Sequence, residues 1–89
     1  MIKKVEQFIW EGRPIVNQII VTTSDSCYLV SYGKAVAVKD PMGAFLSKDW
    51  DYSRTTAKYV ARFFDRSVKE MRKLIKEEVF KVIPEITIK

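Results

Sequence analysis

The sequence predicts an α+β fold: an antiparallel β-meander of four to five strands packed against two amphipathic helices. Residues 1–47 consist of short runs rich in Val, Ile and Thr, separated at intervals of about eight to twelve residues by turn signals, the pattern of consecutive antiparallel strands. After Trp50 the apolar period changes to that of a helix. A sheet with one apolar face needs a cover, and two amphipathic helices supply one.

Val5 to Trp10 is the first apolar run, closed by the loop signal Glu11-Gly12-Arg13-Pro14. Val5, Phe8 and Ile9 also fit a helical turn, but the nearby Gly and Pro favour a strand. Ile15 to Thr23 is rich in β-branched side chains, whose stiffness suits a pleated surface. Ser24-Asp25-Ser26 turns the chain into a third strand, Cys27 to Tyr32. Gly33 separates that strand from Lys34 to Lys39, where Ala35 and Ala37 are expected on one face and Val36 and Val38 on the other. Asp40-Pro41-Met42-Gly43 has proline second and glycine last, as a β-turn prefers, and Ala44 to Leu46 follows as a short strand.

Ala57, Val60, Ala61 and Phe64 recur at i, i+3, i+4 and i+7, one buried helical stripe. Phe63 joins that arc, whereas Arg54, Lys58 and Arg62 fall outside it. Ser53 (or Asp51) is the expected N-cap, and Asp65-Arg66 ends the pattern. Ser67-Val68-Lys69-Glu70 is a capping-box sequence that opens a second helix. This helix is expected to bury Val68, Met71, Leu74 and Ile75 and expose Lys69, Arg72, Lys73 and Lys76. Val79 to Ile83 and Ile86 to Ile88 read as extended segments divided by Pro84, so a strand there belongs at a sheet edge. The 89 residues make one domain, with strands mainly in 1–47, two helices in 53–77 and extended chain in 79–88.

Hydrophobic content of 47% with 30% charged residues is that of a globular protein rather than a disordered chain. The longest apolar stretch, Ile15 to Val21, is interrupted by Asn17 and Gln18 and is too short to span a bilayer. Lys3 and Lys4 are followed by Val5 and Glu6, so no leader peptide is expected, nor is a membrane partner. A single cysteine, Cys27, excludes an internal disulfide framework and suits a reducing compartment.

The net charge of +5 is local in origin. Residues 53–76 hold eight basic side chains against Asp65 and Glu70, leaving the rest of the chain close to neutral. Such an excess points to an anionic partner. A helix start normally attracts acidic side chains, yet here the first turn carries Arg54, with Lys58 following, among Ser53, Thr55 and Thr56. Hydroxyls, free backbone N–H groups and cations together suit a phosphate, so Ser53, Arg54, Thr55, Thr56 and Lys58 form a candidate anion site. Tyr59, at the margin of the apolar arc, is a candidate stacking ring, with Arg62 beside it for a phosphate. The bland alternative has Ser53 only capping, with Asp49 and Asp51 neutralising Arg54 and Lys58.

Catalytic and metal-binding patterns fail. The chain has no histidine to serve as general base or metal ligand. Asp49-Trp50-Asp51-Tyr52-Ser53 imitates the opening of a calcium loop, but Arg54 stands where glycine is needed and Val60 where a bidentate glutamate is needed. Cys27 lacks an activating base, and Asp49 with Asp51 is too small a set for metal-assisted hydrolysis. A non-enzymatic protein without cofactor is expected.

The runs Tyr28-Leu29-Val30-Ser31-Tyr32, Trp50 to Tyr59 and Ser67 to Glu70 resemble a family of small uncharacterised bacteriophage and prophage proteins. The distinctive part is the Tyr-Ser-x-Thr-Thr-x-Lys motif, here Tyr52 to Lys58, and the likeness extends over nearly the whole chain. Such relatives often carry a glycine after the second helix, where this chain has Glu77-Glu78-Val79. The resemblance implies a protein made in the infected cell's cytoplasm and carries no function of its own; small phage proteins of this kind often serve host takeover or counter-defence. Two functions are expected from residues and resemblance together. One is binding of a phosphate-bearing ligand, nucleic acid or nucleotide; the other is inhibition of a host protein through the basic helices. Self-association, through a sheet edge or through the aromatic cluster, fits either.

Overall fold

The computed structural model describes residues 2–88. The chain runs β1 (Ile2–Trp10), β2 (Arg13–Thr23), β3 (Cys27–Ser31), β4 (Lys34–Asp40), β5 (Gly43–Ser47), α1 (Arg54–Phe63), α2 (Val68–Lys76) and β6 (Lys81–Ile83). The strands form one six-stranded sheet in sequence order. β1 to β5 are antiparallel neighbours, whereas β6 pairs parallel to β5. The α+β class is as expected, with one strand more than the meander predicted. The parallel edge follows from connectivity: two helices lie between β5 and β6, so the chain crosses back before it pairs.

Two hairpin turns explain the register. Glu11 and Gly12 have φ of 53° and 76°, and Tyr32 and Gly33 have φ of 51° and 79°. Consecutive left-handed residues in a two-residue loop match the twist of the flanking strands, and glycine holds the second position in both without strain. At the next turn, Asp40 Oδ1 accepts from the Met42 backbone N–H at 2.8 Å.

Helices α1 and α2 lie on one face of the sheet, over Leu29, Ala37 and Leu46. Val36 and Ala37 both belong to that core, contrary to the expected alternation. The pairing with β3 shifts between Leu29 and Val30, so that Val36 is an extra, bulged residue. From α1, Ala57, Val60, Ala61 and Phe63 are buried, as the periodicity requires; Phe64 is half-buried because it caps the helix rather than continuing it. Met71 alone is fully buried from α2, with Val68, Leu74 and Ile75 only partly covered at the core margin.

The other face is also apolar in part. Val21, Tyr28 and Val38 pack with Ile86, while Ile83 and Ile88 close over them. The expected C-terminal strand is therefore limited to Lys81–Ile83, and the chain beyond Pro84 is a cover for the second face rather than another strand.

Candidate functional site

Ser53 is the N-cap of α1. Its backbone is extended and its Oγ accepts from the Thr56 N–H at 3.1 Å, which satisfies one unpaired donor of the first turn. The same Oγ donates to Thr56 Oγ1 at 3.3 Å. Thr56 is fully buried on the sheet side of the helix, where its Oγ1 shares a 3.2 Å hydrogen bond with Ser31 Oγ on β3. Gln18 Nε2, buried on β2, donates to Ser31 Oγ at 2.9 Å. These contacts form a polar chain from the sheet to the helix start, and the hydroxyls of Ser53 and Thr56 face inward along it. Two of the candidate anion contacts are thus occupied within the fold, because Thr56 precedes Ala57 on the buried arc.

Arg54 and Thr55 are exposed at the outer side of the first turn, which holds no acidic residue. Asp49 and Asp51 do not neutralise Arg54 or Lys58. Asp49 pairs with Lys34, whose ammonium holds its carboxyl below the usual range while its own pKa rises. Asp51 pairs with Arg72 at 3.0 Å. Among the described residues, Arg54, Lys58 and Arg62 have no carboxylate partner.

Lys58 and Arg62 meet an aromatic residue absent from the candidate set. Trp10 ends β1 at the tight turn, and the hairpin brings it against α1. Lys58 Nζ lies 4.4 Å from its ring centroid and the Arg62 guanidinium carbon 4.7 Å. Tyr59 is half-buried, edge-on to Trp10 at 5.7 Å and to Phe8 at 6.0 Å. Tyr59 therefore packs against the edge of the indole, and the ring that the two cations cover is that of Trp10. Each cation over this half-buried ring contributes on the order of 1 kcal/mol, which a stronger phosphate contact can replace. The sequence signal was the position of Trp10 beside a Glu-Gly turn, but its neighbour in space lies some fifty residues away in the chain.

Beyond Trp10 a shallow concavity of about 340 Å³ is lined by Lys58, Arg62, Arg66, Asp65, Ser67 and Glu70. Glu70 is committed to the α2 cap: its Oε1 accepts from the Ser67 N–H at 3.0 Å and its N–H donates to Ser67 Oγ at 3.1 Å. That bond to the Ser67 N–H, with the hydroxyl bond and nearby Arg66, holds its carboxyl below the usual range. A larger groove of about 690 Å³ lies on the opposite sheet face, but Asp25, Asp40 and Glu85 border it, and carboxylates repel an anion. No group of three or more His, Cys, Asp or Glu side chains converges among the described residues. No helix among them is long and apolar enough to cross a membrane.

A family of unknown function (DUF8033) matches residues 5–80, and the chain belongs to it. No curated protein and no solved structure matches.

Proposed function

We propose that this chain, whose family carries no assigned role, is a non-enzymatic binder of phosphate-bearing ligands, single-stranded nucleic acid foremost. The observation that carries the reading is the pair Lys58 and Arg62 held over the Trp10 indole with no carboxylate partner among the described residues. Arg54, Lys58 and Arg62 stand four residues apart, a line of cations about 12 Å long on the exposed side of α1. On binding, the two cations turn from the ring to backbone phosphates, and the freed indole face takes a base. Sequence-tolerant stacking with a basic track is how single strands are held without reading their bases. The likeness to phage proteins would make the setting an infected cell, where such binding sequesters nucleic acid in host takeover or counter-defence.

A titration with a labelled single-stranded oligonucleotide tests this. Three phosphate contacts give an affinity falling with salt at a log–log slope of about −2. Trp10 fluorescence should be quenched on binding, while buried Trp50 stays silent. Trp10→Ala should weaken binding by about 1–3 kcal/mol, with Trp10→Phe retaining part of it. Arg62→Ala should also weaken binding, whereas Lys73→Ala and Lys76→Ala on α2 should not. Salt-independent binding, or equal losses from the α2 changes, would overturn the assignment.

A further inference from the structure

The two edges of the sheet are built differently. β6 is three residues long and stops before Pro84, the usual protection of an exposed edge. β1 is nine residues long, contains no proline and pairs only with β2; no other described element runs along its outer side. Ile2, Val5 and Ile9 on it are 52%, 60% and 56% exposed. A long strand with unpaired backbone groups and exposed apolar side chains is a template for another strand.

The geometry points to a second copy of this chain as that strand, joined antiparallel through β1 on a two-fold axis at Val5. Two identical antiparallel strands can pair symmetrically only when the axis falls on a residue, because residues facing each other must direct their backbone groups the same way. Few registers remain. Axes at Lys3, Lys4 or Glu6 set like charges directly opposite, which opposes pairing. An axis at Gln7 falls beside the irregularity between Gln7 and Ile9 and sets Glu6 against Phe8. Axes further along shorten the pairing. With the axis at Val5, Val5 of one copy meets Val5 of the other, and Lys4 faces Glu6 twice. This centre lies within the run Lys4 to Gln7, where β1 holds an unbroken register with β2.

Lys4 and Glu6 share one face of β1 and approach within 3.5 Å in a single chain. The pairing therefore assembles four alternating charges around the axis, and Val5, across from Val21, lies on the other face. Because the axis stands perpendicular to the sheet, both copies keep their helices on the same side of a continuous twelve-stranded sheet. The two Trp10–Lys58–Arg62 clusters are then presented to one side together.

Sedimentation equilibrium of the full chain across the micromolar range tests the pairing without any nucleic acid, so its outcome is separate from that of the binding assay. The expected species has about twice the 10.4 kDa chain mass, in reversible exchange with monomer. Glu6→Lys and Lys4→Glu each place like charges opposite one another and should weaken the dimer about tenfold. The double change Lys4→Glu with Glu6→Lys restores opposite charges and should return the dissociation constant to within about threefold of the original. Circular dichroism on each variant checks that the fold is retained, as these exposed positions predict. A monomer at all concentrations, a dimer indifferent to both single changes, or a double variant that fails to recover would each overturn the proposal.

Discussion

Ser31 joins two buried side chains that come from different layers of the molecule. Its hydroxyl accepts from Gln18 Nε2 and is bonded to Thr56 Oγ1, so one small side chain ties β2 and β3 to the start of α1. Gln18 Oε1 has no partner within the protein, which leaves the chain of bonds already short of one contact. Removing the hydroxyl by Ser31→Ala strands Gln18 Nε2 without solvent to replace the bond and leaves Thr56 Oγ1 with Ser53 Oγ as its partner. The expected cost is about 1–3 kcal/mol, read as a lowered urea midpoint with unchanged slope. An unaltered midpoint would show that the network contributes nothing to stability. Arg54, one position from the cap, should tolerate alanine with little change, because its side chain is exposed.

Both helices end in the same way despite different sequences. After α1 the Arg66 N–H bonds Ala61 O and the Asp65 N–H bonds Arg62 O; after α2 the Val79 N–H bonds Leu74 O and the Glu78 N–H bonds Ile75 O. These are Schellman closures, which need a left-handed residue, usually glycine. Here Asp65 and Glu78 hold φ of 57° and 61°. Glu78 thus carries backbone strain at the position a glycine would hold freely. Glu78→Gly should stabilise the protein by about 0.5–1 kcal/mol, the relief of strain being partly offset by greater freedom in the unfolded chain. Asp65→Gly should gain less, since aspartate enters the left-handed region more readily. Thermal unfolding of the two variants compares them directly, and a loss of stability in Glu78→Gly would contradict this account.

Across the molecule, charge is divided unevenly: Lys58, Arg62 and Arg66 stand with Asp65 and Glu70 around the concavity at the helices, whereas Asp25, Asp40 and Glu85 border the groove beneath the C-terminal segment. Stability against pH follows from the few groups tied into specific contacts. Glu70 is held below its ordinary value of 4.5 and Asp49 below 3.8. A carboxyl lowered in the folded state stabilises fully above its unfolded value and loses that contribution as pH falls through the folded value. Lys34, raised above 10.5, contributes fully below that value and loses its contribution as pH rises past its folded value. With no histidine in the chain, the urea midpoint should be level near neutral pH and fall on acidification below about 4.5. Glu70→Gln and Asp49→Asn should each flatten part of that acid limb. An acid limb identical in both variants would place the titrating groups elsewhere.

The elements were legible because their signals are local: β-branched runs between turn residues, a helical stripe from Ala57 onward, and the Ser67–Glu70 box describe contacts made within a few positions of chain. The basic excess on α1 was legible for the same reason, since spacing alone sets which side of a helix a residue occupies. What each side chain touches across the chain was decided only by folding. Ser53 and Thr56 face Ser31 and Gln18 rather than a ligand, and Asp49 and Asp51 take Lys34 and Arg72 as partners. Trp10 reaches Lys58 and Arg62 because the Glu11–Gly12 turn sets the hairpin against α1. Periodicity fixes the direction of a side chain relative to its own element, but a contact between elements also requires their separation and crossing, which the packing of the whole core sets.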